Sequence, residues 1–274
     1  MKPLPVTVTV CAVLVISIAA QNPVCLAGSV VAASALLWSA TPPRRPYVIF
    51  ALISGATVFI LNPFVGVQGL TVLWQGPQIP IVDTQITLEE VVFGAGAGAR
   101  LVASALAAAA FVRLADPDLL LTAVSRVAPR SGMIVSLATR MLPVLERDAA
   151  GLVLAARTRA GRLGTPRGAG GLLAPLVGMS LERSLEMAEA MEARGYGGPG
   201  RTRIPERKAR AGERLVLALG ALALAAAVVA VARGATSFQY YDTLGDPFVA
   251  SAWLATAATT LPVCAAAGVI RWTR

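Results

Sequence analysis

Residues 187–200, Met187-Ala-Glu-Ala-Met-Glu-Ala-Arg-Gly-Tyr-Gly-Gly-Pro-Gly200, predict the last turns of a helix and an abrupt end to it. Methionine, alanine and glutamate favour helices, whereas the run of glycines from Gly195 and the proline at position 199 end them. Arg194 falls in the final turn. Helical spacing gives it three neighbours on one face: Arg183, Met187 and Ala190. The sequence therefore predicts a helix that ends in a guanidinium beside small and apolar residues.

A weaker copy of this pattern lies 35 residues earlier in the chain. Five residues of the copy align with Met187, Ala190, Met191, Arg194 and Gly195: Leu152, Ala155, Ala156, Arg159 and Ala160. A guanidinium binds a carboxylate through two parallel hydrogen bonds, small neighbours admit a partner's backbone, and methionine supplies adaptable apolar contact. Two such helix ends indicate two docking points for partner proteins. The alternative, for either copy taken singly, is that arginine merely suits the negative end of a helix dipole.

The composition is that of a membrane protein. Of the 274 residues, 56% are hydrophobic and 14% are charged, whereas ordinary soluble domains are about 25% charged. The net charge is +9, but the basic residues flank long apolar runs, as do the charges that orient membrane helices. We therefore expect an all-α integral membrane protein that contacts the lipid bilayer and no nucleic acid.

Six apolar runs are long enough to cross a bilayer, since a spanning helix needs roughly 17–25 residues. They lie near residues 5–21, 24–41, 47–62, 91–113, 213–232 and 248–270. The first run has the outline of a secretory signal, but Gln21-Asn22-Pro23 leads directly into the second run, so a retained span and a tight hairpin are expected. Small residues in the fourth and fifth runs predict close helix packing, either within the chain or against a partner.

The basic residues predict the orientation. If the N-terminus is cytoplasmic, 22 of the 24 basic residues fall on the cytoplasmic side, and Arg100 and Arg233 are the two exceptions. This distribution satisfies the positive-inside rule. The expected location is therefore the cell (inner or plasma) membrane, with several spans and both termini in the cytoplasm.

Residues 114–212 hold most of the charges and no spanning run. Asp116-Pro117-Asp118 predicts the start of an amphipathic helix along the inner membrane surface. A long helix is expected over about 132–160, kinked at Pro143, and a second one over about 172–194. The predicted organisation is thus residues 1–113 with four spans, 114–212 with two long coupling helices, and 213–274 with two spans.

Catalytic chemistry is not expected of this chain. Lysine occurs only at positions 2 and 208, neither in a P-loop, and there is no histidine. Three cysteines (Cys11, Cys25 and Cys264) lie in apolar runs without CxxC spacing, so no metal or redox role is expected. Arg100 is the one charge within a predicted span. It is expected either to reach the interface or a buried carbonyl, or to serve substrate passage.

Several of these residues together resemble a known family. Ala193-Arg194-Gly195, preceded by Glu189-Ala-Met-Glu192, resembles the second Ala-Arg-Gly motif of the CbiQ/EcfT-like family, the transmembrane T components of energy-coupling factor (ECF) transporters. Thr158-Arg159-Ala160 occupies the place of the first motif, with Arg157 as an alternative for its arginine. Arg140-Met-Leu-Pro143, followed by Glu146, resembles the family's Arg-x-x-Pro segment.

The resemblance implies a subunit that transmits ATP-driven motion during uptake of a vitamin or metal ion. The implied partners are two ABC-type ATPase subunits and a substrate-binding membrane S component. ATP and Mg²⁺ would bind in the ATPases, and no cofactor in this chain. The implied coupling residues are Thr158, Arg159, Ala160, Ala193, Arg194 and Gly195, supported by Arg140, Pro143, Glu146, Arg157, Met187, Ala190 and Met191.

Two other functions remain open from the residues alone. A membrane-anchored scaffold protein could use the same arginine-tipped helices to dock a different cytoplasmic partner. A self-sufficient secondary transporter would require internal repeats among the spans, for which the glycine run 94–98 is a weak hint.

Overall fold

The structure is a computed structural model that describes residues 3–42, 44–62, 71–75, 85–158, 170–196, 209–240 and 245–273. Within these residues the chain forms nine α-helices and one two-stranded antiparallel sheet. The elements in order are α1 (Pro3–Ala19), α2 (Pro23–Ser39), α3 (Arg45–Leu61), β1 (Val72–Gln75), β2 (Gln85–Thr87), α4 (Leu88–Leu114), α5 (Pro117–Val127), α6 (Pro129–Thr158), α7 (Leu173–Ala193), α8 (Ala211–Ala232) and α9 (Ala250–Trp272). The chain divides into two compact units, residues 1–119 with 209–274, and residues 120–208.

The six predicted spans correspond one for one to apolar helices of the first unit, so the prediction of an all-α membrane protein is confirmed. Among the described residues, α4, α8 and α9 are long and apolar enough to cross a membrane by length and composition. The other three apolar helices, α1, α2 and α3, have 17 residues each. That length is at the lower end of the roughly 17–25 residues of a spanning helix.

Helix α1 is the centre of the first unit. It packs against α8, α4 and α2, while α2 also packs against α9 and α4, and α8 packs against α9. Helix α3 packs chiefly against α4 and lies at the periphery. Its large side chains, such as Phe50 (67% exposed) and Ile53 (61% exposed), face outward. An exposed apolar face of this kind is what lipid or a membrane partner covers.

Glycines let neighbouring helices approach at backbone distance. A Cβ added to Gly98 of α4 would lie 2.8 Å from the Gly55 carbonyl oxygen of α3. On α8, a Cβ added to Gly220 would lie 2.5 Å from the Thr9 hydroxyl of α1. Close backbone approach through small residues is the main route to helix association in lipid, where apolar burial between helices supplies little driving force. Of the two uses that the sequence left open for these small residues, the structure shows packing within the chain.

The turn between α1 and α2 is fixed by hydrogen bonds, and the predicted hairpin is confirmed. Asn22 caps α2, because its side-chain Oδ1 accepts from the Val24 N–H at 2.9 Å. The Gln21 and Asn22 N–H groups both donate to the Thr236 carbonyl, at 2.9 and 3.0 Å. These bonds tie the α1–α2 turn to the segment between α8 and α9.

The small sheet was not predicted. Strands β1 and β2 pair antiparallel in the register Val72↔Thr87, and Thr87 then caps α4. Glu89, in the first turn of α4, accepts from the Thr71 N–H at 3.2 Å and from the Thr71 hydroxyl at 2.8 Å. The sheet is therefore anchored to the start of α4 by a buried carboxylate, since Glu89 is 2% exposed.

The helices of residues 114–212 begin and end close to their predicted positions. Helix α5 begins at Pro117 as predicted, and the Asp116 carboxylate accepts from the Asp118 N–H at 3.0 Å. Helix α6 continues through Pro143 to Thr158, and the kink expected at this proline stays a prediction. Helix α7 contains no buried residue among those described. In the described part of the second unit, α6 and α7 therefore form an open pair of helices.

Candidate functional site

The end of α7 has a complete glycine-dependent cap. The Gly195 N–H donates to the Glu192 carbonyl at 2.8 Å, and the Tyr196 N–H donates to the Met191 carbonyl at 2.9 Å. This pair of bonds defines a Schellman motif, which needs a left-handed residue after the helix. Gly195 has φ +69°, as the motif requires. The cap ends the helix at Ala193 and fixes the backbone of Arg194, the C-cap residue.

Arg194 is exposed at this capped end, as are Ala193 and Gly195. Within the described residues, the Arg194 side chain forms no hydrogen bond or ion pair with the chain itself. A guanidinium in water, on a backbone held by a cap, can bind an approaching carboxylate without first breaking an internal contact. The second predicted motif is therefore accessible to a partner.

The first predicted motif lies at the end of α6. This helix ends at Thr158, whose hydroxyl donates to the Ala155 carbonyl at 2.8 Å. Thr158 and Arg157 are both exposed, and Arg159 and Ala160 lie outside the described residues. Since the described part of the chain stops at Thr158 here, the choice between Arg157 and Arg159 stays open.

The supporting residues fall into two groups. Three are exposed on α6: Arg140, Pro143 and Glu146. On α7, Met187 and Met191 are half-buried on the same helical face as Arg183, whereas Ala190 is exposed. Because Arg183 bonds to α6, this face of α7 is turned toward α6. The two methionines therefore offer a partner only part of their surface.

Helices α6 and α7 run in opposite directions. Asp148 of α6 meets Arg183 of α7, and a cavity of about 370 Å³ lies between a later part of α6 and an earlier part of α7. The cavity is lined by Ala149, Leu152, Val153, Arg157, Leu172, Leu173 and Leu176. The end of α6 therefore lies beside the start of α7. The two motif-bearing ends consequently point away from each other.

A second face of α7 is apolar and exposed. Its members recur every fourth residue and are 53–66% exposed: Leu173, Val177, Leu181 and Leu185. We call this set the α7 apolar stripe. A contiguous set of large apolar side chains on a surface is typical of a region that a partner protein or a membrane covers.

Arg100 meets a carbonyl inside the first unit, which confirms the first of the two expectations for it. Its Nη2 donates to the Ala20 carbonyl at 2.8 Å, at the end of α1. It also lines a cavity of about 400 Å³ with Gln21, Phe93, Ala97, Phe238, Gln239 and Tyr240. Burial raises the pKa of the Tyr240 hydroxyl, and the positive charge of Arg100 opposes that shift. The hydroxyl therefore stays protonated near neutral pH and donates to the Gln21 carbonyl.

Six apolar helices in one unit and two long helices with exposed side chains in another define a helical membrane protein with a second, separate helical unit. A family model described as CbiQ, cobalt transport protein, matches residues 2–204. The chain belongs to this family, because the match covers well over half of its length. No curated protein matches the chain significantly.

The matched range contains α1 to α7 and both arginine motifs, and it ends before α8. The resemblance noted from the motifs is thereby extended to the first three spans. Members of this family are membrane transport components that work within multi-subunit complexes, and the family is not one of enzymes.

Proposed function

We propose that this chain is the transmembrane coupling subunit of an ECF-type importer. In this role it would transmit ATP-driven motion from two ABC-type ATPase subunits to a membrane subunit that captures a metal ion or vitamin. Membership of a cobalt-transport family supports this proposal. The observation that carries it is the exposed guanidinium of Arg194 at the capped end of a long helix.

The directions of the two helices support the use of two ATPases. Because α6 and α7 run in opposite directions, their ends can engage two separate subunits at once. Roughly 15 Å of helix lies between each end and the Asp148–Arg183 pair, at 1.5 Å per residue. Ends placed on opposite sides of a pair of helices suit two binding grooves on adjacent subunits better than one deep groove.

The proposed orientation places both motifs on the cytoplasmic side, where ATP is available. It follows from the charge distribution, since 22 of 24 basic residues are then cytoplasmic. The expected membrane is the inner or plasma membrane.

The experiment is to tag the chain, purify it with its native partners, and compare Arg159→Glu, Arg194→Glu and the double variant with the matched glutamine variants. Glutamine removes the charge, whereas glutamate also repels an acidic socket, so the glutamate variants should lose more ATPase copurification. Cobalt and vitamin accumulation in cells should fall in the same order. Retention of both ATPases and of uptake by the double glutamate variant would overturn the proposal. Copurification of other proteins in place of ATPases would favour a scaffold function.

A further inference from the structure

Asp148 and Arg183 form an ion pair that joins the two long helices, at the middle of α7 and about two-thirds of the way along α6. Arg183 Nη1 lies 2.7 Å from Asp148 Oδ2. The Asp148 side chain is 18% exposed and the Arg183 side chain 36%. A partly buried pair is screened less by salt than one in open water. No other ion pair joins α6 to α7 in the described part of the second unit.

Apolar packing between these helices is sparse, so it does little to fix how far one helix lies along the other. Helix α7 has no buried residue among those described, and a cavity of about 370 Å³ lies between its start and the end of α6. Two helices that interdigitate fully are held in register by their side-chain ridges. Here the charged pair is the specific contact that opposes sliding of one helix along the other.

Because the two helices run in opposite directions, sliding of one along the other changes the distance between their tips. Arg194 lies 11 residues after Arg183, and Thr158 lies 10 residues after Asp148. Each tip is therefore about 15 Å from the pair, and a slip of one helical turn would move one tip by about 5 Å relative to the other. A charge-assisted hydrogen bond to a partner tolerates a donor–acceptor distance of about 2.7–2.9 Å. A displacement of that size would break the hydrogen bond between a tip guanidinium and its partner carboxylate.

We infer that the Asp148–Arg183 pair fixes the register of α6 against α7 and thereby the spacing of the two arginine tips. Both are positioning residues that act through the tips and touch neither ATP nor substrate. This inference rests on the proposed function. It assigns to Arg183 a role distinct from that of Arg194, although the two share a helical face.

The test uses the purified complex of the full chain with its ATPases, reconstituted in liposomes. Asp148→Ala and Arg183→Ala should retain ATPase binding, because both tips are intact, but uptake per ATP hydrolysed should fall by roughly tenfold. The exchanged pair Asp148→Arg with Arg183→Asp should recover most of the loss. The matched controls are Glu182→Ala and Arg147→Ala, which remove exposed charges of the same two signs beside the pair.

A second measurement reports the tip spacing directly. Spin labels at Ala155 and Glu192, both exposed near the tips, would be placed in a chain whose three cysteines are replaced by alanine and whose uptake is retained. Pulsed electron paramagnetic resonance should give a narrow distance distribution in this chain and in the exchanged pair. The distribution should be broad or shifted in Asp148→Ala and Arg183→Ala.

An unchanged distance distribution in both alanine variants would overturn the inference, as would uptake per ATP equal to that of the controls. Failure of the exchanged pair to recover either quantity would also overturn it. These results are distinguishable from failure of the proposed function, in which the unsubstituted chain does not copurify with ATPases. The distance measurement on the chain by itself still decides whether the pair fixes the tips in that case.

Discussion

The two units of this molecule use their side chains in opposite ways. In the first unit, large side chains such as Leu36 (1% exposed) are enclosed by neighbouring helices, and glycines bring backbones together. In the second unit, α7 has no buried residue among those described, and Leu185 is 66% exposed. The bundle satisfies its own contacts, whereas the described part of α7 leaves its apolar side chains exposed. We expect stability to be concentrated in the first unit, and the proposed function assigns recognition to the second.

The largest expected effect is that of reversing the charge at the tip of α7. Arg194→Glu should weaken ATPase binding by about 100-fold or more, since loss of one partner of a buried charge pair costs about 2–5 kcal/mol. The thermal stability of the isolated chain should change little, because the side chain is exposed. ATPase affinity by surface plasmon resonance and melting in detergent measure the two quantities. A large drop in melting temperature with unchanged affinity would assign Arg194 to the fold.

The same leucine-to-alanine change should affect the free energy of unfolding differently in the two units. Leu36→Ala leaves a cavity inside the bundle and should destabilise the chain by about 2 kcal/mol, the lower end for such sites because lipid also solvates the unfolded helix. Leu185→Ala should fall within about 0.5 kcal/mol of the unsubstituted chain. Denaturant unfolding in mixed micelles compares them. Equal destabilisation would show that the α7 apolar stripe is packed within the chain.

A smaller effect, of opposite sign in the two units, is expected from replacing glycine by alanine. Gly98→Ala places a Cβ 2.8 Å from the Gly55 carbonyl oxygen, and should destabilise the bundle by about 1–2 kcal/mol. Gly151 of α6 has no atom within 4 Å of an added Cβ. Gly151→Ala should therefore stabilise α6 by about 0.5–1 kcal/mol through helix propensity. Calorimetry of both variants tests the signs, and a stabilising Gly98→Ala would refute the close contact of α3 with α4.

The sequence predicted those features that depend on neighbouring residues. Apolar runs and the Gln21-Asn22-Pro23 turn located α1 and α2, and the glycine at position 195 located the end of α7. Such signals are local: a run of apolar residues, a proline that cannot continue a helix, a glycine that accepts positive φ.

Features that depend on residues far apart in the chain were missed. The strands β1 and β2 have four and three residues, and their pairing partner rather than their composition makes them strands. No local sequence pattern singled out Asp148. Its partner Arg183 was identified only as a neighbour of Arg194 on one helical face. Small residues in α4 indicated a close contact, but the identity of Gly55 as the partner required the fold.

The opposite directions of α6 and α7 have a further consequence for symmetry. Two similar antiparallel helices are related by an approximate twofold axis that passes between them, near the Asp148–Arg183 pair. A dimer of like subunits is organised about the same kind of axis. Under the proposed function, a single chain that repeats one motif after 35 residues would therefore present nearly equivalent surfaces to two ATPase subunits without itself becoming a dimer.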